Sequence, residues 1–306
     1  MNELAPTTPQ ILVEAQEYSS ANLLVGVAAS RKTTIAAGGL ICYQFEVDQV
    51  EQLQRLSAYF FKQKIETRVL GAGSNVMFPD RDFLVPVITL GRSFRSWRQL
   101  DQQRIEVSGA MSVMTLAREV AALGLSGLEF SAGIPASLGG AIAMNAGAHQ
   151  HEFSEMIESV TVVLPTGQLE TISQKDLNFN YRKTELPLGS VVISSVLRLE
   201  PGDSATIREH MQHNLAYRKK TQPLQFASCG SVFRNPERAF AGELIEACGL
   251  KGKKMGEAEI SEQHANWIIN RNKQATSADV FGLIRLAQAS VLERFGISLE
   301  PELQLW

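Results

Sequence analysis

The chain of 306 residues is 44% hydrophobic and carries a formal net charge of −3, which predicts a globular protein of two or three modules. This slightly acidic balance, with no basic run longer than Arg218–Lys220, argues against a nucleic-acid partner. The sequence has no basic-then-apolar leader and no apolar run of about 18 residues, so we expect a cytoplasmic protein that does not enter a membrane.

The first strongly patterned segment predicts a helix that opens at Asp48 as its N-cap residue. Its apolar residues Leu53, Leu56 and Phe60 recur at helical spacing and therefore share one face. A short strand, Thr67–Leu70, follows and leads directly into a glycine-rich segment.

The middle of the chain alternates helical and strand patterns. A helix is predicted over Val113–Leu123, and Gly124 is suited to a left-handed C-terminal cap. The β-branched runs Val160–Val163 and Leu169–Ile172 flank a Pro-Thr-Gly turn and predict a hairpin, and Val191–Leu199 predicts a further strand.

The C-terminal third is richer in helical patterns. Thr276 and Asp279 form a capping-box signal for a helix that ends at Gly296. A Pro-Gly pair at position 201 marks a domain boundary, so the fold class expected is α+β, with a smaller α+β domain at the end of the chain. The predicted division is 1–85, 86–202 and 203–306.

The segment VLGAGSNVMF, Val69–Phe78, is similar to a dinucleotide-binding fingerprint but departs from it. Val76 occupies the third glycine position, and no acidic residue follows at the expected distance, so a Rossmann fold is not predicted. Two interpretations stay open: an ordinary β-turn, or a turn whose amides converge on an anion, with Ser74 and Asn75 as added donors.

A second glycine-rich segment, Gly127–His149, mixes glycine with small residues around Pro135. Glycine at this density disfavours an ordinary helix and allows a ligand to approach the backbone closely. The alternatives are a tightly packed loop or a cofactor cradle. Two such cradles would suit a long ligand with phosphates, such as a dinucleotide.

The order of motifs along the chain resembles that of the UDP-N-acetylenolpyruvoylglucosamine reductase family. The resemblance extends from Thr33 to Leu305, and its strength lies in the fixed order of eight motifs that are individually weak. Those motifs are TTIAAGG, VLGAGSN, GLEFSAGIPASLGGAIAMNAGA, FNYRKTEL, QPLQFASCGSVFRNP, AGELIEACGLKG, EAEISEQHANWIIN and SLEPELQLW. The resemblance implies two FAD-binding subdomains followed by a substrate-binding domain.

The family's reaction, as the resemblance implies it, belongs to bacterial cell-wall precursor synthesis. NADPH reduces FAD, and UDP-N-acetylglucosamine enolpyruvate is then reduced to UDP-N-acetylmuramate. The matched catalytic positions are Arg182 for the substrate carboxylate, Ser231 as proton donor to carbon, and Glu302 to polarise the intermediate or relay a proton.

The resemblance also assigns binding residues. The expected FAD contacts are Val69, Leu70, Gly71, Ala72, Gly73, Ser74, Asn75, Gly133, Ile134, Pro135, Gly139, Gly140, Asn145, Gly147 and Ala148. The expected substrate contacts are Tyr181, Asn235 and Gln222, and Arg234, Lys219 and Lys220 are alternatives for the diphosphate. We expect a monomer. We also expect no metal site, because three cysteines without CxxC spacing form no zinc pattern.

The chain departs from the family at two positions. Ala136 replaces a usual glycine, and His149 stands where tyrosine is common. The short interval between Arg182 and Ser231 leaves little room for the extra tyrosine-bearing loop of one family branch, so the chain is assigned to the family's shorter branch.

Cys229 lacks a nearby base in the sequence and is expected to line the site without reacting. Two rival functions remain at this point. One is a flavin oxidase of small alcohols or sugars, for which His149 or His151 would be candidate points of covalent attachment. The other is a non-catalytic UDP-sugar sensor.

Overall fold

The computed structural model describes residues 9–306. In this part of the chain the α-helices are α1 Pro9–Ser19, α2 Val50–Lys62, α3 Val113–Ala122, α4 Leu138–Ala143, α5 Ser204–Thr221, α6 Ala241–Ala247 and α7 Ser277–Phe295. The first strands are β1 Asn22–Ala28, β2 Leu40–Val47, β3 Arg68–Val69, β4 Val76–Met77, β5 Val87–Leu90, β6 Trp97–Gln99, β7 Arg104–Ser108, β8 Leu125–Ser126, β9 Gly147–Ala148 and β10 His151–Glu152. The remaining strands are β11 Ile157–Val163, β12 Leu169–Ser173, β13 Phe179–Asn180, β14 Lys183–Thr184, β15 Val191–Arg198, β16 Glu200–Pro201, β17 Ala227–Ser231, β18 Lys254–Met255, β19 Ala258–Ile260, β20 Trp267–Asn270 and β21 Gln304–Leu305.

The chain folds into two compact units that interleave along the sequence. The first contains the described residues up to Val25, with Cys42–Ala72 and Leu84–Leu215, and the second contains Gly26–Ile41, Gly73–Phe83 and Ala216–Trp306. Two early segments therefore belong with the C-terminal part, which no composition shift in the sequence indicated. The predicted division into three domains stays a prediction, while the α+β class is confirmed.

The first unit is built around two sheets. One has the order β1-β2-β5-β3, with β5 parallel to both β2 and β3. The other has the order β12-β11-β15-β7-β6 and is antiparallel throughout. The predicted hairpin is its β11–β12 pair, in which Val160 lies opposite Ile172. Helix α3 packs into a buried core beside this sheet, with Val113, Leu116 and Val120 almost fully covered.

Helix α2 shows where local sequence reasoning was wrong. Its buried face holds Leu53, Leu56 and Phe60, as predicted, but the N-cap is Gln49 rather than Asp48. Gln52 accepts the Gln49 backbone N–H at 3.1 Å, so a glutamine pair forms the capping box. The Asp48 carboxylate instead accepts from the Ser93 backbone at 3.4 Å, a tertiary contact that its own helix does not predict.

The second unit carries an antiparallel sheet of order β17-β20-β19-β18, with α7 packed against it and α6 packed against α7. The predicted capping box of α7 is confirmed: Thr276 Oγ1 accepts from Asp279 N at 3.1 Å, and the Asp279 carboxylate accepts from Thr276 N at 2.9 Å. Gly296 ends the helix at φ 68°, the left-handed conformation that suits glycine. This helix buries Val280, Leu283, Ile284, Ala287 and Val291 against the sheet.

Candidate active site

The first glycine-rich segment turns sharply after β3 and is held differently at its two ends. Gly71 is exposed, yet a Cβ added there would collide with Ser137 Oγ, so the turn lies directly against the second glycine-rich segment within the first unit. Gly73 has φ 68°, and its carbonyl accepts from Thr34 N at 3.0 Å inside the second unit. A Cβ at Gly73 would collide with Lys32 O, so close backbone approach requires glycine at this position.

The second glycine-rich segment folds as a turn followed by the short helix α4. Ser137 caps this helix by accepting from Gly140 N at 3.4 Å, and Gly139 N donates to Gly109 O at 2.8 Å. Ala136, which replaces a usual family glycine, is not among the residues with positive φ. The turn therefore does not need glycine's freedom at this position.

Backbone strain concentrates at the end of this segment. Asn145, His149 and Gln150 adopt left-handed φ values of 40°, 53° and 67°, although none of them is glycine. Asn145 is fully buried, and its side chain accepts from Ser154 N at 3.0 Å and donates to Asn180 O at 3.2 Å. The loop is thus tied to the hairpin that contains Arg182.

Tyr181 and Arg182 form the two-residue loop of the β13–β14 hairpin. Arg182 has φ 58°, a conformation in which a non-glycine residue is disfavoured. Its Nη2 donates to Gly147 O at 2.9 Å, and its guanidinium lies 4.9 Å from the centroid of the Tyr181 ring. Four strained residues in one contiguous region indicate a functional site.

The backbones of Ser231 and Glu302 lie close together in the second unit. Ser231 ends β17, opposite Trp267, just after an irregularity in the strand pairing at which Gly230 adopts φ 74°. The backbone N–H of Glu302 donates to Val232 O at 2.8 Å, and Val232 directly follows Ser231 in the chain. Asn75 fixes this arrangement by donating from Nδ2 to Glu302 O at 3.0 Å.

Asn266 is a positioning residue that the sequence did not single out. Its side chain is buried and clasps the Phe233 backbone, accepting from N at 2.9 Å and donating to O at 2.8 Å. Its own carbonyl accepts from Val232 N at 2.9 Å. This clasp holds the chain that leaves Ser231, and a lone asparagine in a polar run gives no signal of it.

Cys229 is buried two residues before Ser231. Burial, and more weakly the Glu302 carboxylate, raise the pKa of its thiol to about 12. The thiol is therefore protonated at neutral pH and is no nucleophile. The expectation that Cys229 does not react agrees with this environment.

The expected substrate contacts Asn235 and Gln222 already have partners within the protein. Asn235 Oδ1 accepts from Ala241 N at 3.1 Å at the start of α6, and Gln222 Oε1 accepts from Arg218 Nε at 2.9 Å. In each case the amide nitrogen is the group left to meet a ligand.

No cluster of three or more metal-ligating side chains occurs among residues 9–306. None of the helices described in that range is both long and apolar enough to cross a bilayer.

Sequence comparison places this geometry in a known family. A profile described as "UDP-N-acetylenolpyruvoylglucosamine reductase, C-terminal domain" matches residues 222–306, and one described as "FAD binding domain" matches residues 43–173. The chain is 40% identical to the UDP-N-acetylenolpyruvoylglucosamine reductase of Prochlorococcus marinus over 94% of its own length and 98% of the relative's. The chain belongs to the UDP-N-acetylenolpyruvoylglucosamine reductase family.

Further relatives of this reductase family agree. The Bacillus subtilis reductase is 34% identical over 97% of this chain and 98% of its own. The crystal structure of the Thermus caldophilus reductase superposes with a TM-score of 0.82 at 34% identity, covering 94% of this chain and 99% of that one. The predicted family and α+β FAD-binding fold are confirmed, and the protein is a flavin-dependent oxidoreductase.

The residues present fit the FAD that this family uses. In the first unit, a Cβ added at Gly71 would collide with Ser137 Oγ and lie 4.0 Å from Gly140 Cα, so the two glycine-rich turns lie side by side. Such closely apposed turns let backbone amides reach the oxygens of a diphosphate. The sequence had singled out Gly71 but not Ser137, although a serine before a run of small residues is a recognisable N-cap signal.

Proposed function

We propose that this protein reduces UDP-N-acetylglucosamine enolpyruvate to UDP-N-acetylmuramate in peptidoglycan precursor synthesis, in the cytoplasm and as a monomer. The near full-length match to reductases of that name supports the substrate. When bound, FAD would supply the hydride for this reduction after accepting it from NADPH. Gly71 and Ala72 from the first glycine-rich segment, with Gly139 and Gly140 from the second, would hold its diphosphate.

Arg182 is the residue we propose to bind the substrate carboxylate. Hydride addition to an enol ether conjugated with a carboxylate moves negative charge onto that carboxylate, and a guanidinium fork stabilises it through two parallel hydrogen bonds. The observation that carries this proposal is the strained left-handed backbone of Arg182. Glycine would adopt this backbone conformation with less strain. We therefore attribute the presence of arginine at this position to the function of its side chain.

Ser231 is the residue we propose to protonate the carbon next to the new C–H bond. A serine hydroxyl is a weak acid and serves here only because hydride addition generates a strongly basic carbon within its reach. Glu302, whose backbone is bonded to Val232, is proposed to polarise the developing enolate or to relay the proton. Cys229 has no part in the reaction, because its thiol stays protonated.

The purified protein tests this proposal through its visible spectrum and its consumption of NADPH. We expect a yellow protein whose flavin is reduced once by NADPH alone and which consumes NADPH in repeated turnovers only when the UDP-enolpyruvyl sugar is present. Oxygen-dependent NADPH loss that ignores the sugar would indicate the oxidase alternative, and UDP-sugar binding without turnover would indicate the sensor. The proposed monomer predicts a mass of 33.6 kDa in sedimentation equilibrium.

Ser231→Ala separates the two half-reactions. We expect this variant to keep the bleaching of flavin absorbance by NADPH and to lose about 10²- to 10⁴-fold in turnover of the enolpyruvyl substrate, the usual contribution of a general acid. Stopped-flow absorbance follows the first step and product formation follows the second. Normal turnover by Ser231→Ala would refute the proton-donor assignment.

A further inference from the structure

Thr34, in the segment TTIAAGG, bonds two other segments of the second unit at once. Its backbone N–H donates to Gly73 O at 3.0 Å, at the start of the turn 73–75 that we expect to contact FAD. Its carbonyl accepts from Ser228 N at 3.1 Å, and its hydroxyl donates to Ser228 O at 2.6 Å. A single residue therefore connects this turn to β17, the strand that ends at Ser231.

The hydroxyl of Thr34 takes the place of a backbone donor. In an antiparallel sheet, two opposite residues can exchange both of their backbone hydrogen bonds. Ser228 is bonded to Thr34 in this way, except that the backbone N–H of Thr34 donates to Gly73 and the side-chain hydroxyl donates to Ser228 O instead. All three bonds can form together only because the side chain is short and carries an O–H donor.

Strand β17 depends on this contact because it lies at the edge of its sheet. In the order β17-β20-β19-β18, β20 pairs with one edge of β17. The pairing becomes irregular between Ser228 and Ser231, where Gly230 adopts φ 74°. Ser228 is thus the last regularly paired residue before Ser231. Its N–H and C=O both bond to Thr34, so Thr34 holds the strand just before the irregularity.

Asn270 holds the segment that carries Thr34. This asparagine is fully buried, and its Nδ2 donates to Ile35 O at 3.0 Å and to Ala36 O at 3.2 Å. Ala36 has φ 55°, a disfavoured conformation for a residue other than glycine, which these bonds help to maintain. Asn270 also lies opposite Ala227 in the β17–β20 pair. Thr34 is therefore supported by the same sheet whose edge strand it holds.

The turn bonded to Thr34 is connected to Glu302 as well. Asn75 donates from Nδ2 to Glu302 O at 3.0 Å, and its own carbonyl accepts from Gln304 N at 3.0 Å. The turn is thus linked to both residues proposed for the protonation step, to Ser231 through Thr34 and to Glu302 through Asn75. Of these two links, only the one through Thr34 depends on a hydroxyl, so a single isosteric substitution can weaken it.

We propose that Thr34 is a positioning residue for the protonation step, which fixes the Ser231 hydroxyl relative to the turn 73–75. The inference rests on the proposed function. There, hydride forms a C–H bond at the methylene carbon and the electron pair of the double bond moves to the neighbouring carbon. The Ser231 hydroxyl gives its proton to that carbon and is reprotonated from water. This transfer requires the oxygen to lie within about 3 Å of the carbon, so it is sensitive to small displacements of β17.

Four variants separate the hydroxyl of Thr34 from the rest of the segment. Thr34→Val removes the hydroxyl and keeps the shape of the side chain. Thr34→Ser keeps the hydroxyl, and Thr34→Cys replaces it with the weaker S–H donor. Thr33→Val is the matched control, because the neighbouring Thr33 hydroxyl is also buried but donates to Ala29 O at 3.1 Å, within its own segment.

Rapid kinetics on the flavin-loaded protein measure the two half-reactions separately. We expect Thr34→Val to be reduced by NADPH at the wild-type rate and to form product from the UDP-enolpyruvyl sugar about tenfold to a hundredfold more slowly in a single turnover. Thr34→Ser and Thr33→Val should match wild type, and Thr34→Cys should fall between. Because the serine and cysteine variants retain a donor, their order tests the inference even if the valine variant does not fold.

A double-mutant cycle shows whether Thr34 acts through Ser231. In a Ser231→Ala background, adding Thr34→Val should slow product formation by less than about twofold, because the group that Thr34 positions is already absent. A general loss of stability would instead reduce the rate by the same factor in both backgrounds. Additive losses would therefore overturn the inference, as would a wild-type rate in Thr34→Val or an equal loss in Thr33→Val.

Amide hydrogen exchange tests the contact without any turnover. We expect the amides of β17 to exchange about fivefold faster in Thr34→Val than in wild type and in Thr33→Val, because the strand loses one of its two bonds to Thr34. Unchanged exchange of β17 in Thr34→Val would refute the role of Thr34 by itself. A wild-type protein that does not reduce the sugar would refute the proposed function, whatever the exchange rates are.

Discussion

At the scale of single residues, the reactivity of each candidate side chain depends on its surroundings. Cys229 carries the most nucleophilic side chain of its segment on paper, but burial keeps the thiol protonated. Ser231, a weaker acid by nature, ends the same strand and is the proposed donor. Arg182 has a left-handed backbone conformation, φ 58°, that is unfavourable for a residue with a side chain. Function at this scale follows from environment more than from residue type.

Cys229 predicts how stability changes in alkaline solution. Its pKa rises from 9.0 to about 12 on folding, so the folded state keeps a proton that the unfolded state loses. This contribution to stability is complete below pH 9 and is lost as the pH rises toward 12, at up to about 1.4 kcal/mol per pH unit. Urea unfolding at several pH values should show a shallower alkaline decline for Cys229→Ala than for wild type. Equal slopes would contradict the prediction.

Arg182 predicts a separation of stability from activity. Arg182→Gly and Arg182→Val both remove the guanidinium, so both should lose at least about tenfold in turnover because the charge-assisted carboxylate contact is gone. Only the valine variant carries a branched side chain at φ 58°. We expect it to be less stable than the glycine variant by about 1 kcal/mol or more. Thermal melts and steady-state kinetics measure both effects, and equal melting temperatures would remove the strain interpretation.

At the scale of elements, the sequence predicted those whose signals are local. The capping box of α7, its Gly296 end, the β11–β12 hairpin and the buried face of α2 all formed as expected. The N-cap of α2 was wrong because Asp48 bonds to Ser93, far along the chain. The predicted strand Thr67–Leu70 shortened to Arg68–Val69, since only these residues pair with β5.

The contact between the two glycine-rich turns predicts the behaviour of Gly71→Ala. Its new Cβ would strike Ser137 Oγ, push the turns apart and weaken FAD binding by about tenfold, while most of the fold persists because Gly71 lies in an exposed loop. The double variant Gly71→Ala with Ser137→Gly removes the colliding hydroxyl and should recover part of that affinity. Flavin fluorescence titration of the apoprotein measures both. An unchanged FAD affinity in Gly71→Ala would show that the two turns need not touch to bind the cofactor.

At the scale of the whole molecule, the fold consists of two units whose pieces alternate along the chain. The family match covers nearly the entire length, so the flavin-dependent activity belongs to the chain as a whole. A tightly bound ligand stabilises the folded state by mass action, because the unfolded chain does not bind it.

FAD should therefore raise the thermal midpoint of the apoprotein. At 100 times its dissociation constant, FAD adds about 2.7 kcal/mol to the free energy of unfolding. FMN lacks the second phosphate and the adenosine, and it should add much less at the same concentration because the glycine-rich turns then bind half of a diphosphate. Differential scanning calorimetry compares the two. Equal shifts for FMN and FAD would argue against diphosphate binding by those turns.

The sequence by itself determined the family, the α+β class, the cofactor and the elements with strong local signals. The order and spacing of short motifs can be read from the sequence without any knowledge of the tertiary structure. A capping box likewise involves only four consecutive residues. Tertiary structure decided how the site is held. Asn75 bonds to Glu302 across 227 positions, and Asn266 clasps Phe233 across 33. No local pattern predicts such pairs, because their hydrogen bonds exist only once distant segments have packed together.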